Sequence, residues 1–285
     1  MSALNLISGA RSFLFVPGNR PERFVKALAS GADAVVLDLE DSVPLHDKAD
    51  ARDAIRNHWN GLNNKNPVVV VRINSPETEW GKNDIDGLRG LPGLAGLMVP
   101  KCESAEILHQ VADAFPGVAI LPIIESAAGY LNLRRIAQVK QVSRLVVGHI
   151  DFLADTGLQC SDDQQELNSL RFEVAMCSRN SNLAPAVDGV TVSVEDEALI
   201  RRDTERSLRF GFGAKLCIHP KQILVVHATI APTATQIDWA RRVISAMDDS
   251  GGAAVQLDGK MVDLPVVLQA QRILARIRES TAASE

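Results

Sequence analysis

The stretches A-I-L-P-I-I-E (119–125) and L-V-V-G-H-I-D (145–151) decide the fold of this chain. Each is a largely apolar run that ends in a carboxylate, Glu125 or Asp151, and only the second contains a polar residue, His149, before that end. Apolar runs of this length are typical of parallel β-strands that are covered on both faces. The carboxylates lie 26 residues apart (125 to 151), a suitable length for one strand–helix–strand repeat. Neighbouring parallel strands would therefore bring both carboxylates to the same edge of a sheet.

Six more apolar runs recur at a similar spacing, and segments of helical period such as 21–31, 103–115 and 163–180 separate them. The six runs are S-F-L-F-V-P (12–17), A-V-V-L-D-L (34–39), V-V-V-V-R-I-N (68–74), G-L-M-V-P-K (96–101), A-P-A-V-D-G-V (184–190) and A-K-L-C-I-H-P (214–220). Eight strand–helix units in about 230 residues predict an α/β fold, a (β/α)₈ TIM barrel. The alternative is a doubly wound open sheet, which usually has fewer strands and a glycine-rich first turn that this chain lacks.

The chain continues beyond the eighth unit. A helix is expected over 233–247, then a hairpin on an Asp258–Gly259 turn, then a last helix from Pro265. We therefore expect a catalytic barrel over residues 1–232 and a C-terminal helix–hairpin–helix extension over 233–285. The extension is too short to bury a core of its own, so we expect it to pack on a barrel, either its own or that of a neighbouring subunit.

Composition argues against several classes of protein. The net charge of −5 and the lack of a basic stripe argue against nucleic-acid binding. No apolar run approaches the ~20 residues of a membrane span, and the first residues lack a signal-peptide pattern. The four cysteines have no metal-ligand spacing, which indicates free thiols and a cytoplasmic location.

Polar side chains stand at the ends of seven of the eight runs. Active sites of (β/α)₈ barrels lie at the carboxyl ends of the strands, so these side chains are expected to form a polar mouth. Glu125 and Asp151 offer two hard oxygen donors with room for water and substrate oxygens, which predicts a Mg²⁺ site. A helix cap or a salt bridge remains the alternative for each carboxylate.

Arg72 and the D-L-E-D segment (38–41) are expected beside this site. Arg72 either forms a salt bridge across the barrel, to Glu40 or Asp41, or grips a substrate carboxylate or a developing enolate oxygen. The D-L-E-D segment, which contains Glu40, could hold waters around the metal or orient Arg72. Three further polar residues at strand ends are not assigned to the site: His149, Asp188 and His219.

The loop after the first run is the expected anion site. Asn19 with Glu22 resembles a capping box, and a phosphate could bind near the helix start with help from Arg20 and Arg23. The residues expected to bind substrate in this region are Arg11, Pro17 and Gly18.

A series of motifs in fixed order spans nearly the whole chain. They are R-S-F-L-F-V-P-G-N (11–19), V-L-D-L-E-D-S-V (36–43), V-R-I-N-S (71–75), M-V-P-K-C-E-S (98–104), P-I-I-E-S-A-A-G (122–129), V-G-H-I-D-F-L-A-D-T-G (147–157), A-V-D-G-V (186–190), G-A-K-L-C-I-H-P-K-Q-I (213–223) and L-D-G-K-M-V-D-L-P (257–265). Together they resemble the citrate lyase β-subunit family, within the wider group of HpcH/HpaI-like aldolases.

The resemblance implies a barrel that forms homotrimers or hexamers, with Mg²⁺ held by Glu125 and Asp151. It also implies that Arg72 holds a substrate carboxylate or thioester oxygen. In relatives that act on coenzyme A thioesters, the aspartate matching Asp263 reaches the active site of a neighbouring subunit. Asp263 is therefore our candidate for the acid that protonates the enolate carbon, although its position alone favours only the start of the last helix.

The reaction that the resemblance implies is a Mg²⁺-dependent carbon–carbon cleavage or formation. A β-hydroxyacyl thioester, carried by coenzyme A or an acyl-carrier protein, is exchanged for an acetyl-thioester and a 2-oxo acid. The family also contains synthases and thioesterases, and the sequence does not select among them. Two other functions remain open: a pyruvate-type metal-dependent aldolase without a thioester, and a non-catalytic regulatory subunit that binds acyl-CoA.

Two departures from the family pattern bear on the substrate. Ile150 stands before Asp151 where many relatives have glutamate. The segment 170–183 also differs from the usual helix rich in small residues. The sequence therefore predicts the metal site more firmly than the identity of the substrate.

Overall fold

The computed structural model describes residues 3–62 and 67–282, and the chain divides into two compact units, one up to His227 and the other from Ala228. Among the described residues, the strands of the first unit are β1 (Ser12–Pro17), β2 (Ala34–Asp38), β3 (Val68–Arg72), β4 (Gly96–Val99), β5 (Ala119–Ile124), β6 (Val146–Val147), β7 (Val187–Asp188) and β8 (Ala214–Cys217). All pair in parallel and in sequence order, and β1 pairs with both β2 and β8, so the sheet is a closed barrel. The predicted (β/α)₈ barrel is confirmed.

Helices connect the strands throughout. They are α1 (Ala3–Gly9), α2 (Phe24–Leu28), α3 (Lys48–Leu62), α4 (Glu79–Leu88), α5 (Ala105–Ala114), α6 (Ala127–Leu131), α7 (Leu133–Ile136), α8 (His149–Thr156), α9 (Asn168–Asn180), α10 (Glu197–Arg209) and α11 (Lys221–Ile230). Serine and threonine side chains cap the amino ends of several of these helices. Ser104, for example, accepts a hydrogen bond from the Ile107 amide at the start of α5. In the part of the chain that the structure describes, no helix is long and apolar enough to cross a membrane.

Alternate residues of the strands form the core inside the barrel. Its buried members include Phe13, Val36, Val70, Leu121 and Leu216. The same inward series continues into polar residues at the carboxyl ends, because Asp38 lies two positions after Val36 and Arg72 two positions after Val70. Asp38 and Arg72 are also register partners on β2 and β3. The apolar interior therefore ends in a pair of opposite charges.

The sixth strand is shorter than the sequence predicts. β6 covers Val146–Val147 rather than 145–151, and the chain then enters α8. Gly148 makes this turn possible, since a Cβ at that position would lie 2.7 Å from the Cβ of Glu125 and 2.8 Å from Ile123. Asp151 consequently stands in the first turn of α8 rather than at the end of a strand.

The second unit has the predicted helix–hairpin–helix order. It consists of α12 (Ala234–Asp249), the antiparallel strands β9 (Val255–Leu257) and β10 (Lys260–Val262), and α13 (Leu264–Ala282). The expectation that this segment buries no core of its own is wrong, since both helices and the hairpin contribute to one buried cluster. Its members are Ala240, Val243, Val262, Val267, Ala270 and Ile273.

Candidate active site at the carboxyl end of the barrel

Arg72 is the centre of the charged cluster at the carboxyl end of the strands. Its Nε and Nη2 donate to the two carboxylate oxygens of Asp38, each at 2.6 Å. The guanidinium also lies 4.7 Å from the centre of the Phe15 ring. Asp38 is fully buried, and although burial opposes its ionisation, Arg72 outweighs burial and lowers the pKa of Asp38. The bidentate pair fixes the plane of the guanidinium.

Glu40 lies between two cations. Its Oε2 is 2.8 Å from Arg72 Nη1, and its Oε1 accepts a hydrogen bond from Lys101 Nζ at 2.6 Å. Burial raises the pKa of Glu40 to about 7; Arg72 and Lys101 oppose this rise, and Asp41 adds to it. Arg72 thus makes the salt bridge across the barrel that the sequence offered as one of its two roles, and Glu40 orients its guanidinium.

Glu125 follows β5 directly and is 5% exposed. Its Oε1 accepts a hydrogen bond from the main-chain N–H of Lys101 at 2.6 Å. Burial raises the pKa of Glu125 to about 8; the Lys101 amide opposes this rise, and the charges of Glu40 and Asp151 add to it. A cation beside Glu125 would favour its ionised form and offset this cost.

Asp151 completes a pair of carboxylates with Glu125. Its charge contributes to the raised pKa of Glu125, so the two groups share one electrostatic environment. Within residues 3–62 and 67–282, the structure contains no group of three or more His, Cys, Asp or Glu side chains that could hold a metal ion. Mg²⁺ is usually bound by one or two carboxylates and keeps several waters, so this donor set fits Mg²⁺.

Two side chains hold the backbone that carries Glu40. Lys48, at the start of α3, donates to the carbonyls of Leu39 and Glu40 at 2.9 and 3.0 Å. Asn74 Nδ2 donates to the same Leu39 carbonyl at 2.8 Å and to Asp84 at 2.6 Å. These bonds fix the turn after β2, and through it the position of Glu40.

The loop after β1 lies at the mouth of the barrel, but Arg11 does not. The Gly18 amide donates to the Asp38 carbonyl at 2.7 Å, and a Cβ on Gly18 would come within 2.8 Å of that oxygen. Pro17 and Gly18 therefore pack against the end of β2. Arg11 instead precedes the first residue of β1 and pairs with Asp33 at 2.8 Å. Because the strands are parallel, that is the amino end of the barrel, so the structure does not place Arg11 where we expected a substrate-binding residue.

Asn19 and Glu22 do not pair as the expected capping box. Asn19 donates to Asp47 at 2.8 Å, whereas Glu22 forms an ion pair with Arg20 at 2.7 Å. A 3₁₀ turn and the five residues of α2 replace the longer helix expected over 21–31. The helix start after this loop is therefore a 3₁₀ turn without the expected side-chain cap.

Two polar residues near the strand ends belong to a separate buried network. Asp188 lies 3.4 Å from Arg171 and also bonds Ser207; burial opposes its ionisation, but Lys215 and Arg171 lower the pKa of Asp188 to about 2. Burial, opposed by the charge of Asp188, lowers the pKa of His149 to about 4, so its ring is neutral at pH 7. Neither residue was assigned to the site from the sequence.

Lys101 is a member of the cluster to which the sequence assigned no role, and Asp38 was expected beside the site only as part of the D-L-E-D segment (38–41). Each could have been found from a local signal. Asp38 continues the period-two inward series of β2, and Lys101 ends the fourth apolar run. These signals did not stand out because most of the other runs also end in polar residues.

The profile of the family described as HpcH/HpaI aldolase/citrate lyase matches residues 11–220, which include every strand of the barrel. A citrate lyase subunit beta-like protein of Deinococcus radiodurans is 34% identical over 276 residues, which cover 93% of this chain and 96% of that protein. A (3S)-malyl-CoA thioesterase of Cereibacter sphaeroides is 30% identical over 269 residues, which cover 93% of this chain and 94% of that protein.

A solved structure agrees with these relatives. The protein CitE from Mycobacterium tuberculosis, in complex with magnesium, acetoacetate and coenzyme A, superposes with a TM-score of 0.83 at 30% identity. The match covers 94% of this chain and 97% of that one. The chain therefore belongs to the HpcH/HpaI aldolase/citrate lyase family.

Proposed function

We propose that this chain is a Mg²⁺-dependent carbon–carbon lyase. Its substrate would be a β-hydroxyacyl thioester of coenzyme A or an acyl-carrier protein, cleaved to an acetyl-thioester and a 2-oxo acid or formed from them. The observation that carries the proposal is Glu125, a nearly buried carboxylate with its pKa raised to about 8, beside Asp151 and in the field of Arg72. The CitE complex with magnesium, acetoacetate and coenzyme A supports the same metal and the same class of ligand.

Each residue of the cluster has a role in this proposal. Glu125 and Asp151 would hold Mg²⁺, whose Lewis acidity makes the hydroxyl proton of a substrate easier to lose. Arg72, held rigid by Asp38, would stabilise the oxygen on which negative charge develops. Glu40 keeps Arg72 in place. The loop residues Pro17 and Gly18 would contact the substrate at the mouth.

Cleavage breaks the bond between the hydroxyl-bearing carbon and the α-carbon of the thioester. The hydroxyl proton would pass to water, the hydroxyl-bearing carbon would become the carbonyl of the 2-oxo acid, and the electron pair of the broken bond would pass to the thioester as an enolate. Arg72 would stabilise the enolate oxygen. An acid must then protonate the enolate carbon, and Asp263 is our candidate.

Features around Asp263 support a role in another copy of the chain. Asp263 directly precedes α13, and within residues 228–277 its carboxylate makes no hydrogen bond or ion pair. Its neighbours Met261 and Leu264 are 68% and 67% exposed. A carboxylate without a partner, flanked by exposed apolar side chains, suits docking on a second subunit. We therefore propose a homotrimer or hexamer in which Asp263 approaches Glu125 and Arg72 of the next subunit.

The test is an assay of β-hydroxyacyl-CoA thioesters that carry a carboxylate on the hydroxyl-bearing carbon. With Mg²⁺, a lyase releases acetyl-CoA and 2-oxo acid in equal amounts and no free thiol. Release of 2-oxo acid from a substrate without a thioester would instead indicate a pyruvate-type aldolase. Binding of acyl-CoA without any turnover would indicate a regulatory subunit. The Glu125→Gln variant is the control for contaminating activity.

A thioesterase is the second candidate, and one observation favours it. The relative from Cereibacter sphaeroides that is 30% identical to this chain is a (3S)-malyl-CoA thioesterase. A thioesterase would release free coenzyme A and the intact hydroxy acid. Measuring the free thiol and the acetyl-thioester in the same reaction separates the two functions.

A further inference from the structure

Lys101 connects the two halves of the charged cluster. Its main-chain N–H donates to Glu125 Oε1 at 2.6 Å, and its ammonium donates to Glu40 Oε1 at 2.6 Å. The ammonium also lies 3.7 Å from Asp41. One residue therefore contacts both the carboxylate proposed to hold the metal and the carboxylate that orients Arg72.

The backbone of Lys101 has a conformation that residues with a β-carbon rarely adopt. Its φ is +49°, in the left-handed region where glycine is favoured. In this conformation the main-chain N–H of Lys101 donates to Glu125 and its side chain donates to Glu40. A glycine would take the same φ without strain but would supply no ammonium. An unfavourable backbone that persists at a charged cluster points to a functional requirement.

The charge of Lys101 matters because negative groups dominate this end of the barrel. The acidic groups that interact with Arg72, Lys101 or Glu125 are Asp38, Glu40, Asp41 and Asp151. Arg72 is already bound to Asp38 through two nitrogens. Lys101 is thus the second cation on Glu40, and its side chain, 46% exposed, can be reached from the mouth.

We propose that Lys101 is a positioning residue that sets the affinity of the site for its divalent cation. The N–H selects which oxygen of Glu125 remains available to the cation. The ammonium holds Glu40 against Arg72 and prevents Glu40 from acting as an additional ligand. The proposal rests on the proposed function, because it takes Glu125 as a metal ligand.

The test is calorimetric titration of the metal-free protein with Mg²⁺ or Mn²⁺, without substrate. Lys101→Met keeps the length of the side chain but removes a positive charge beside the site and frees Glu40. We expect the Kd of the cation to fall about threefold to tenfold. Lys101→Arg should restore the wild-type Kd. Lys140→Met, which removes the charge of an exposed lysine, is the matched control and should leave the Kd unchanged.

A second variant allows the proposal to be tested even if Lys101→Met fails to fold. Asparagine tolerates a positive φ better than most residues, so Lys101→Asn removes the ammonium at little cost to the backbone. A Kd within twofold of the wild type, or a weaker one, in folded Lys101→Met or Lys101→Asn would overturn the proposal. If the wild-type protein binds the cation but cleaves no thioester, the proposed reaction fails while the affinity test of Lys101 still stands. No binding by the wild type would overturn both.

Discussion

Two buried carboxyl groups at the mouth of the barrel have opposite pKa shifts. The pKa of Asp38 is lowered because the Arg72 guanidinium outweighs the effect of burial. Burial raises the pKa of Glu125 to about 8, and among the described residues no side-chain cation hydrogen-bonds or pairs with it directly. The difference in partners explains why Asp38 serves as a fixed support for Arg72 and why Glu125 suits a cation that binds reversibly.

Metal-free Glu125→Gln should be more stable than the wild type at alkaline pH. A carboxyl group whose folded pKa is raised stabilises the fold below its unfolded pKa, and this stability is lost as pH rises through the folded value of about 8. Glutamine does not ionise, so the variant loses no stability by this route. In the wild type, each unit by which the folded pKa exceeds the unfolded pKa corresponds to about 1.4 kcal/mol of lost stability. Thermal unfolding in chelator from pH 5 to pH 9 should show a gap in Tm that widens with pH. A constant gap would contradict the raised pKa.

Excess Mg²⁺ gives the reverse order of stability in the same experiment. The wild type should gain stability because the cation binds only its folded state. Glu125→Gln should gain little, since it has lost an ionised ligand. Equal stabilisation of both proteins would exclude Glu125 as a metal ligand.

Arg72→Lys should lower turnover at least ~10²-fold, on the scale of losing one donor to a developing oxyanion. Lysine keeps the charge but cannot form the bidentate contact with Asp38, so the cation would no longer be held in place. The measurement is kcat and KM for the thioester identified in the assay, with circular dichroism to check the fold. Wild-type kcat with a raised KM would instead assign Arg72 to ground-state binding.

At the scale of elements, the junction of β6 and α8 positions Asp151, the second of the two proposed metal ligands. The strand ends after two residues, Gly148 follows, and α8 begins with His149. Asp151 then lies in the first turn of this helix, where the helix dipole favours a negative charge. The position of Asp151 therefore depends on a close approach between Gly148 and Glu125.

Gly148→Ala should disturb both carboxylates at once. The new Cβ would lie 2.7 Å from the Cβ of Glu125, so Glu125 or the start of α8 must shift. We expect a loss of about 1–3 kcal/mol in stability, typical of overpacking, together with weaker Mg²⁺ binding measured by calorimetry. Gly61→Ala, in helix α3, is the matched control, because a Cβ there meets no atom of the described residues within 4 Å. Equal metal affinity in both variants would contradict this account.

At the scale of the whole molecule, the closed barrel and the second unit have separate cores. The second unit buries its own cluster, yet leaves Met261, Leu264 and Leu268 exposed beside Asp263. Exposed apolar side chains next to a charged residue are typical of a surface that another subunit covers. This surface is therefore a place where the second subunit of the proposed homotrimer or hexamer could dock.

Mixed oligomers test that assembly. Asp263→Asn and Glu125→Gln should each be inactive alone. After co-refolding, some sites would combine an intact Asp263 from one subunit with an intact Glu125 from the next, so activity should partly return. Mass spectrometry of the assembled protein verifies that mixed oligomers form. No recovery in proven mixtures would place the whole site within one chain.

Local pattern alone was sufficient for the architecture. Apolar runs, their spacing and the positions of turns predict eight strands, the barrel and the helix–hairpin–helix segment, because strand and helix periods are properties of neighbouring residues. The same reasoning placed Arg72, Glu40 and Glu125 at strand ends, since all parallel strands end on one side.

Only the tertiary structure decided which of those ends interact. The bond between Asp38 and Arg72 depends on the register of β2 and β3, and the contacts of Lys101 depend on one positive φ. Arg11 is excluded from the site because it lies at the amino end of its strand, and the second unit has a core that its length did not suggest. Most of these features depend on contacts between residues that are apart in sequence, and on distances and burial that exist only in the folded molecule.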